Sequence, residues 1–185
     1  MTFPDQKYSV IYADPAWTFK AYSNKGLKKS PQAHYDCMSF EDLKALPVPE
    51  IAEKDCVLFM WATFPMIHQA LELIEAYGFT YKTGAAWHKK TKHGKTAFGT
   101  GYIFRSAAEL LLVATKGSPK ALNRSTRNVI EAPVREHSRK PDCVYELIEN
   151  LYAGPFIELF ARQKRNGWDA WGNQVGMFPE VRAAE

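Results

Sequence analysis

The segment Cys56-Val-Leu-Phe-Met-Trp61 is apolar without interruption. A strand with one wet face alternates polar and apolar residues. A run apolar at every position suits a central strand covered on both faces. The rest of the chain supplies what such a strand needs. Tyr8-Ser-Val-Ile-Tyr-Ala13 reads as a short buried strand, and Ser39-Phe-Glu-Asp42 as a capping box that opens a short helix, with Asp42 in place of the usual Glu. Pro47 and Pro49 are expected to end that helix. A second helix is predicted from about Pro65, because Met66, Ile67, Ala70, Leu71, Ile74 and Tyr77 recur at helical spacing before Gly78. Phe79–Trp87 and Glu109–Thr115 read as strands. Pro141 suits the first position of a helix whose stripe is Val144, Leu147, Ile148 and Leu151, and Pro155–Phe160 reads as the strand after it. This alternation predicts an α/β layered fold: a mostly parallel sheet, helices on both faces, and one domain over residues 1–185.

Charge narrows the partners. The net charge is +4, and the cations are bunched: Lys25, Lys28 and Lys29; Lys89, Lys90, Lys92 and Lys95; Arg124 and Arg127; Arg135, Arg139 and Lys140. Four clusters, each in an expected loop, fit a polyanion. The segments 18–35 and 88–101 read as mobile substrate-side loops. No apolar stretch approaches the run of about 18 that a membrane helix needs. Met1–Tyr8 holds no apolar core for a secretory signal, so a cytoplasmic location is expected. The three cysteines (Cys37, Cys56, Cys143) are widely spaced, and the five histidines show no metal-ligand spacing, so reduced thiols and no metal are expected.

Asp14-Pro15-Ala16-Trp17 follows the first strand directly. In open α/β sheets ligands bind beyond the carboxyl ends of strands, which makes Asp14 a site candidate. Pro15 restricts Asp14 to an extended backbone and leaves its own carbonyl as an acceptor. A carboxylate and a carbonyl can take both hydrogens of an adenine amino group. The carboxylate can then stabilise positive charge developing on the nitrogen as it attacks a methyl sulfonium. The Trp17 indole offers a stacking face for a base extruded from its duplex.

With the C-terminal segment added, the sequence resembles the MT-A70 family of adenine methyltransferases. The resemblance runs from Tyr8 to about Gln174. It is carried by Tyr12-Ala-Asp-Pro15, Leu58-Phe-Met-Trp-Ala-Thr63, Glu109–Gly117, Glu136-His-Ser-Arg-Lys-Pro-Asp142, Ile157-Glu-Leu-Phe-Ala-Arg162 and Trp171-Gly-Asn-Gln174. It implies a Rossmann-like methyltransferase fold of permuted motif order, with the catalytic corner ahead of the main cofactor segment. It also implies S-adenosylmethionine as donor. Asp14, Pro15 and Trp17 are then the catalytic corner, and Asp14 also lies near the cofactor's amino group. Lys140 meets the methionine carboxylate, Phe160 and Arg162 line the adenosine part, and Asn173 and Gln174 bond its ribose or adenine. Glu109 and the segment Trp87, Lys89, Lys90 border the target. The implied activity is adenine-specific N6 methylation of DNA by direct in-line attack. The expected setting is the cytoplasm of a bacterium or phage-infected host cell, as in restriction–modification, with a monomer or homodimer as the assembly.

One position departs from the family pattern, which is usually Asp-Pro-Pro-Trp: Ala16 stands at the second proline. Three alternatives stay open: an RNA adenine methyltransferase, a weakened or inactive nucleic-acid-binding relative, and a nicotinamide enzyme suggested by Gly99-Thr-Gly101. The last lacks a third glycine and follows a lysine-rich loop instead of a strand. Losing the proline frees φ at residue 16 and loosens the neighbouring acceptor, which slows a reaction that depends on orientation. Ala16→Pro is therefore expected to raise the single-turnover rate by about three- to tenfold with cofactor affinity unchanged. Rapid-quench methyl transfer checks this, and equal rates refute it.

Overall fold

Strand β1 (Tyr8–Ala13) lies inside the sheet, with only Ser9 short of full burial. This computed structural model describes residues 2–15, 17, 38–136 and 138–181. The expected loop at 18–35, with Lys25, Lys28 and Lys29, lies outside the described residues, as does Ala16. The remaining strands are β2 (Ala52–Ala62), β3 (Thr80–Lys90), β4 (Ala108–Lys116), β5 (Val129–Pro133), β6 (Phe156–Leu159) and β7 (Trp168–Trp171). They form one sheet in the order β5-β3-β4-β2-β1-β6-β7. The pairs β1–β2, β1–β6, β6–β7 and β3–β5 are parallel, and only β4 runs against its neighbours β2 and β3.

The period-two alternation of the central strands divides the core. Ile11, Ala13, Leu58 and Met60 point to one side, where α1 (Phe40–Lys44), α2 (Val48–Ile51) and α3 (Ile67–Ala76) cover them through Leu43, Val48, Ile51, Ala70, Leu73 and Ile74. Val10, Tyr12, Val57, Phe59 and Trp61 point to the other side, under Val144, Tyr145 and Ile148 of α4 (Cys143–Leu151). Helices thus lie on both faces, which is why β1 and the Cys56–Ala62 part of β2 are apolar at nearly every position. The sheet is mainly parallel with helices on both faces, the α/β layered architecture expected from the alternation of elements. No helix among the described residues is long and apolar enough to cross a membrane.

Local signals held where the chemistry was local. The Ser39 side chain accepts from the Asp42 amide at 3.1 Å and so caps α1. Gly78 ends the α3 segment at φ 76°, a left-handed conformation that glycine adopts without strain. Four expectations are corrected. Strand β3 runs on to Lys90, so His88, Lys89 and Lys90 belong to the sheet; β5 pairs with them in parallel and extends the strand past Trp87. Pro47 and Pro49 open α2, where a missing N–H in the first turn costs nothing; they do not simply stop α1. Pro141 stands before the cap Asp142 of α4, and its carbonyl accepts from Val144. Strands β5 and β7 were not foreseen: they are short, lie at the two outer edges, and carry only two fully buried residues each.

Ile74 is fully buried between α3 and the sheet. Ile74→Ala is expected to lower unfolding free energy by about 2–4 kcal/mol, read as a lower urea midpoint at unchanged slope.

Candidate active site

Because β4 alone is reversed, its amino end shares an edge with the carboxyl ends of β1, β2, β3 and β6. That edge brings together Asp14 after β1, Trp61 in β2, Lys89 in β3, Glu109 in β4 and Phe160 after β6. β1 sits between β2 on one side and β6 on the other, so the crevice between β1 and β6 is where the strand order reverses. Such switch points are where α/β sheets bind ligands.

Ion pairs of alternating sign run along this edge. Lys89 Nζ lies 2.8 Å from Glu109 Oε2, and Glu109 Oε1 lies 3.1 Å from Lys140 Nζ. Lys140 Nζ is 2.8 Å from Asp14 Oδ1, and Asp14 Oδ2 is 2.9 Å from Arg162 Nη2. Arg162 also donates to the Ser138 carbonyl. Glu109, Lys140, Arg162 and Asp14 are all largely shielded from water. Burial alone pushes the Glu109 carboxyl up, but Lys140 and Lys89 outweigh it and hold the group below the usual range. Burial likewise pulls Lys140 down, and Asp14 and Glu109 reverse the sign, so its ammonium is held above its ordinary value. Lys140 also lies 5.5 Å from the centroid of the Trp61 ring.

Asp14, Lys140, Phe160 and Arg162 line one cleft at this edge. Tyr12, Arg139, Tyr145, Glu158, Gln163 and Phe178 complete the wall; of these six, the sequence marks only Arg139 for a partner, within a basic cluster. Tyr145 donates to Glu158 at 2.6 Å, and Gln163 Nε2 donates to the Tyr145 hydroxyl at 3.1 Å. Burial pushes the Glu158 carboxyl up to about 8, with the Asp14 charge adding to the effect. The available signal was its place two residues before Phe160 on β6. Arg139 lies 4.6 Å from the Phe178 ring and Arg162 5.9 Å, so one phenyl group covers both guanidinium groups. Two non-glycine residues with left-handed backbone flank the cleft, Ser138 at φ 60° and Phe160 at φ 61°. Such strain persists where surrounding contacts enforce it, often at functional sites.

The other expected residues fall elsewhere. The Pro15 carbonyl accepts from the Trp17 amide at 2.8 Å. Trp17 is not an open platform in this structure: it is 7% exposed, sits in the core, and donates its indole N–H to the Trp61 carbonyl at 3.3 Å. Trp87 is 3% exposed, packs edge to face against Trp61 and donates to the Ala132 carbonyl. Lys89 and Lys90 lie on a strand and are paired with Glu109 and Glu131. Asn173 is exposed, Gln174 half-buried, and neither lines the cleft. Gly172 beside them packs so closely on the Ala161 backbone that a Cβ would come within 2.7 Å of it.

The cleft suits S-adenosylmethionine. Asp14 and Lys140 offer one anion and one cation for its ammonium and carboxylate. Gln163 Oε1 and Arg139 Nε, both on cleft residues, are buried without hydrogen-bond partners, and Phe160 and Phe178 add aromatic faces.

Comparison with known proteins agrees with this geometry. The MT-A70 family model matches residues 8–174. The type II methyltransferase M.MunI from a Mycoplasma species is 35% identical, over 93% of this chain and 79% of its own length. A putative N(6)-adenosine-methyltransferase MT-A70-like protein of Medicago truncatula is 30% identical, over 91% of this chain but 26% of its own. The human N(6)-adenine-specific methyltransferase METTL4 is 28% identical, over 94% of this chain and 39% of its own. The chain therefore spans most of the Mycoplasma protein but well under half of these plant and human relatives. The chain belongs to the MT-A70 methyltransferase family, whose methyl donor is S-adenosylmethionine.

Proposed function

We propose that this protein methylates the N6 amine of adenine in DNA, by direct attack of that amine on the donor's methyl group. The observation that carries the reading is the Asp14 carboxylate, held at the switch point by Lys140 at 2.8 Å and Arg162 at 2.9 Å. Bound S-adenosylmethionine supplies an electrophilic methyl group on a sulfonium. Lys140 would hold the ligand's carboxylate, and Asp14 would face its ammonium and the target amine. Arg162, 2.9 Å from Asp14 Oδ2, would keep that carboxylate in place as positive charge builds on the nitrogen. The Pro15 carbonyl keeps a second lone pair beyond its bond to Trp17 for the other amine hydrogen. The proton leaves after transfer, through Asp14 or to solvent, so no separate base is required. Glu109 acts as the bridge between Lys140 on the cofactor side and Lys89 on the target side.

DNA is favoured over RNA because the match extends over most of both chains only for the compact type II methyltransferase among the relatives compared above. The proposed setting is the cytoplasm of a bacterium or phage-infected host cell. Incubation with single-stranded DNA, duplex DNA and RNA, followed by digestion and mass spectrometry for N6-methyladenine, tests the reading. Product on DNA is expected. Product on RNA alone, or on no nucleic acid, overturns it.

Asp14→Asn is expected to slow single-turnover transfer by about 100-fold or more, the scale of losing a preorganised group at a developing charge. Lys140→Met leaves Asp14 and Glu109 without the cation between them. Calorimetry is expected to show cofactor affinity lower by at least about tenfold, with lowered thermal stability.

Glu158 gives a pH dependence of defined sign. Its carboxyl titrates near 8 when folded and near 4.5 when unfolded, so between those values the folded state holds a proton that the unfolded state has released. Its contribution to stability therefore falls as pH rises through that window and is level above it. Glu158→Gln removes the titration. The stability of the wild type relative to this variant, from urea titrations, is expected to decline from about pH 4.5 to about pH 8. A flat or rising difference contradicts the assignment.

A further inference from the structure

Beyond Lys90 the chain makes a folded excursion from the sheet edge. Residues 91–95 form a turn, closed by a Thr91 amide bond to the Lys95 carbonyl, and the chain returns so that Ala97 donates to the Lys89 carbonyl at 2.8 Å. Residues 98–106 then project outward. Their base is held by Gly99 N to Ser106 O at 2.9 Å and by Lys89 N to Ala107 O at 2.9 Å. The tip is tight: a Cβ on Gly101 would lie 1.9 Å from the Phe104 carbonyl oxygen, so only glycine fits.

This stapled tip presents Phe98 at 82%, Tyr102 at 86%, Ile103 at 75% and Phe104 at 86% exposure. Four large apolar side chains this exposed on one tip form a patch of the kind that marks a contact surface. Its charge selects the partner. Residues 91–107 contain Lys92, Lys95 and Arg105 and no acidic residue, and the Arg105 guanidinium lies 5.9 Å from the Phe98 ring. Exposed Arg124 and Arg127 lie on the segment leading into β5, the strand paired with the end of β3. A self-complementary contact between two copies would set these cations against themselves. Aromatic rings interleaved with cations instead suit a polyanion that carries flat bases. The base of the excursion is bonded to Lys89, whose ammonium reaches Asp14 through Glu109 and Lys140.

We propose that Phe98, Tyr102 and Phe104 form a stacking surface on the rim of the active site, which holds the bases flanking the target adenine while phosphates meet Lys92, Lys95 and Arg105. The inference rests on nucleic acid being the substrate. It divides a function between two residue types: aromatics supply affinity that is insensitive to salt, and cations supply the salt-dependent part.

The test is the triple variant Phe98→Ala, Tyr102→Ala, Phe104→Ala. Fluorescence anisotropy with a random-sequence oligodeoxynucleotide, single-stranded and annealed, is run over a range of salt. Affinity is expected to fall by at least about tenfold while the slope of log affinity against log salt stays that of the wild type. Cofactor affinity by calorimetry and mass by sedimentation are expected not to change, which confirms that the variant is folded. Unchanged oligonucleotide affinity overturns the proposal, as does a flattened salt slope. A change in the mass of the assembly also overturns it and makes the tip a contact between copies. Aromatic-dependent binding by a protein that forms no N6-methyladenine upholds the stacking surface and rejects the transfer reaction.

Discussion

A single carboxylate held between two cations ties together the carboxyl edge of this sheet. Asp14 can sit between Lys140 and Arg162 only because three separate stretches of chain converge at one sheet edge. β1 delivers the carboxylate, the turn before α4 delivers the lysine, and the chain after β6 delivers the arginine. Removing two charges from water is costly, and their attraction offsets that cost only when geometry is good and the remaining bonding positions are filled. Here Glu109 and Lys89 extend the pairing on one side and the Ser138 carbonyl on the other. The arrangement contributes less to stability than to position: it fixes where a ligand's charges must fall.

The reversed strand β4 is what makes the array continuous. In an all-parallel sheet the residue at the start of a strand lies at the edge away from the site. With β4 antiparallel, Glu109 enters the sheet at the edge where β1, β2 and β3 leave it. Its partners come from different elements: Lys140 lines the cleft, and Lys89 stands on β3, whose backbone holds the base of the aromatic excursion. The sheet edge thereby connects the proposed cofactor and target sides.

The second polar group of the cleft, Tyr145 with Glu158 and Gln163, shows how a buried carboxyl is tolerated without a cation directly on it. Burial drives it toward the neutral form, and the Tyr145 hydroxyl bonds one oxygen. Asp14 and Glu158 thus occupy one cleft with different environments: the first is gripped by cations, the second is shielded by tyrosines. Carboxyl groups separated in this way can serve different tasks at one pH.

The sequence alone determined the layers and the place of Asp14 at the edge of the sheet. Both are local: apolar continuity at Cys56–Trp61, alternation across the two core faces, and a carboxylate placed directly after a buried strand. It also marked Lys140, Phe160 and Arg162, through a resemblance that covers most of the chain. It treated Lys89, Lys90, Lys92 and Lys95 as one basic loop, whereas the fold pairs the first two with Glu109 and Glu131 and leaves the last two exposed. It assigned Trp17 and Trp87 to the substrate, and the fold buries both indoles. It gave no ligand role to Glu158, Gln163 or Tyr145, and it marked 88–101 as a substrate-side loop without singling out the exposed rings at 98–104. These outcomes depend on contacts between residues far apart in the chain, such as β5 against β3 and α4 against β6. Residue type and spacing carry backbone preference and burial pattern. Only the assembled sheet decides which charges meet, which rings are covered and which are left in water.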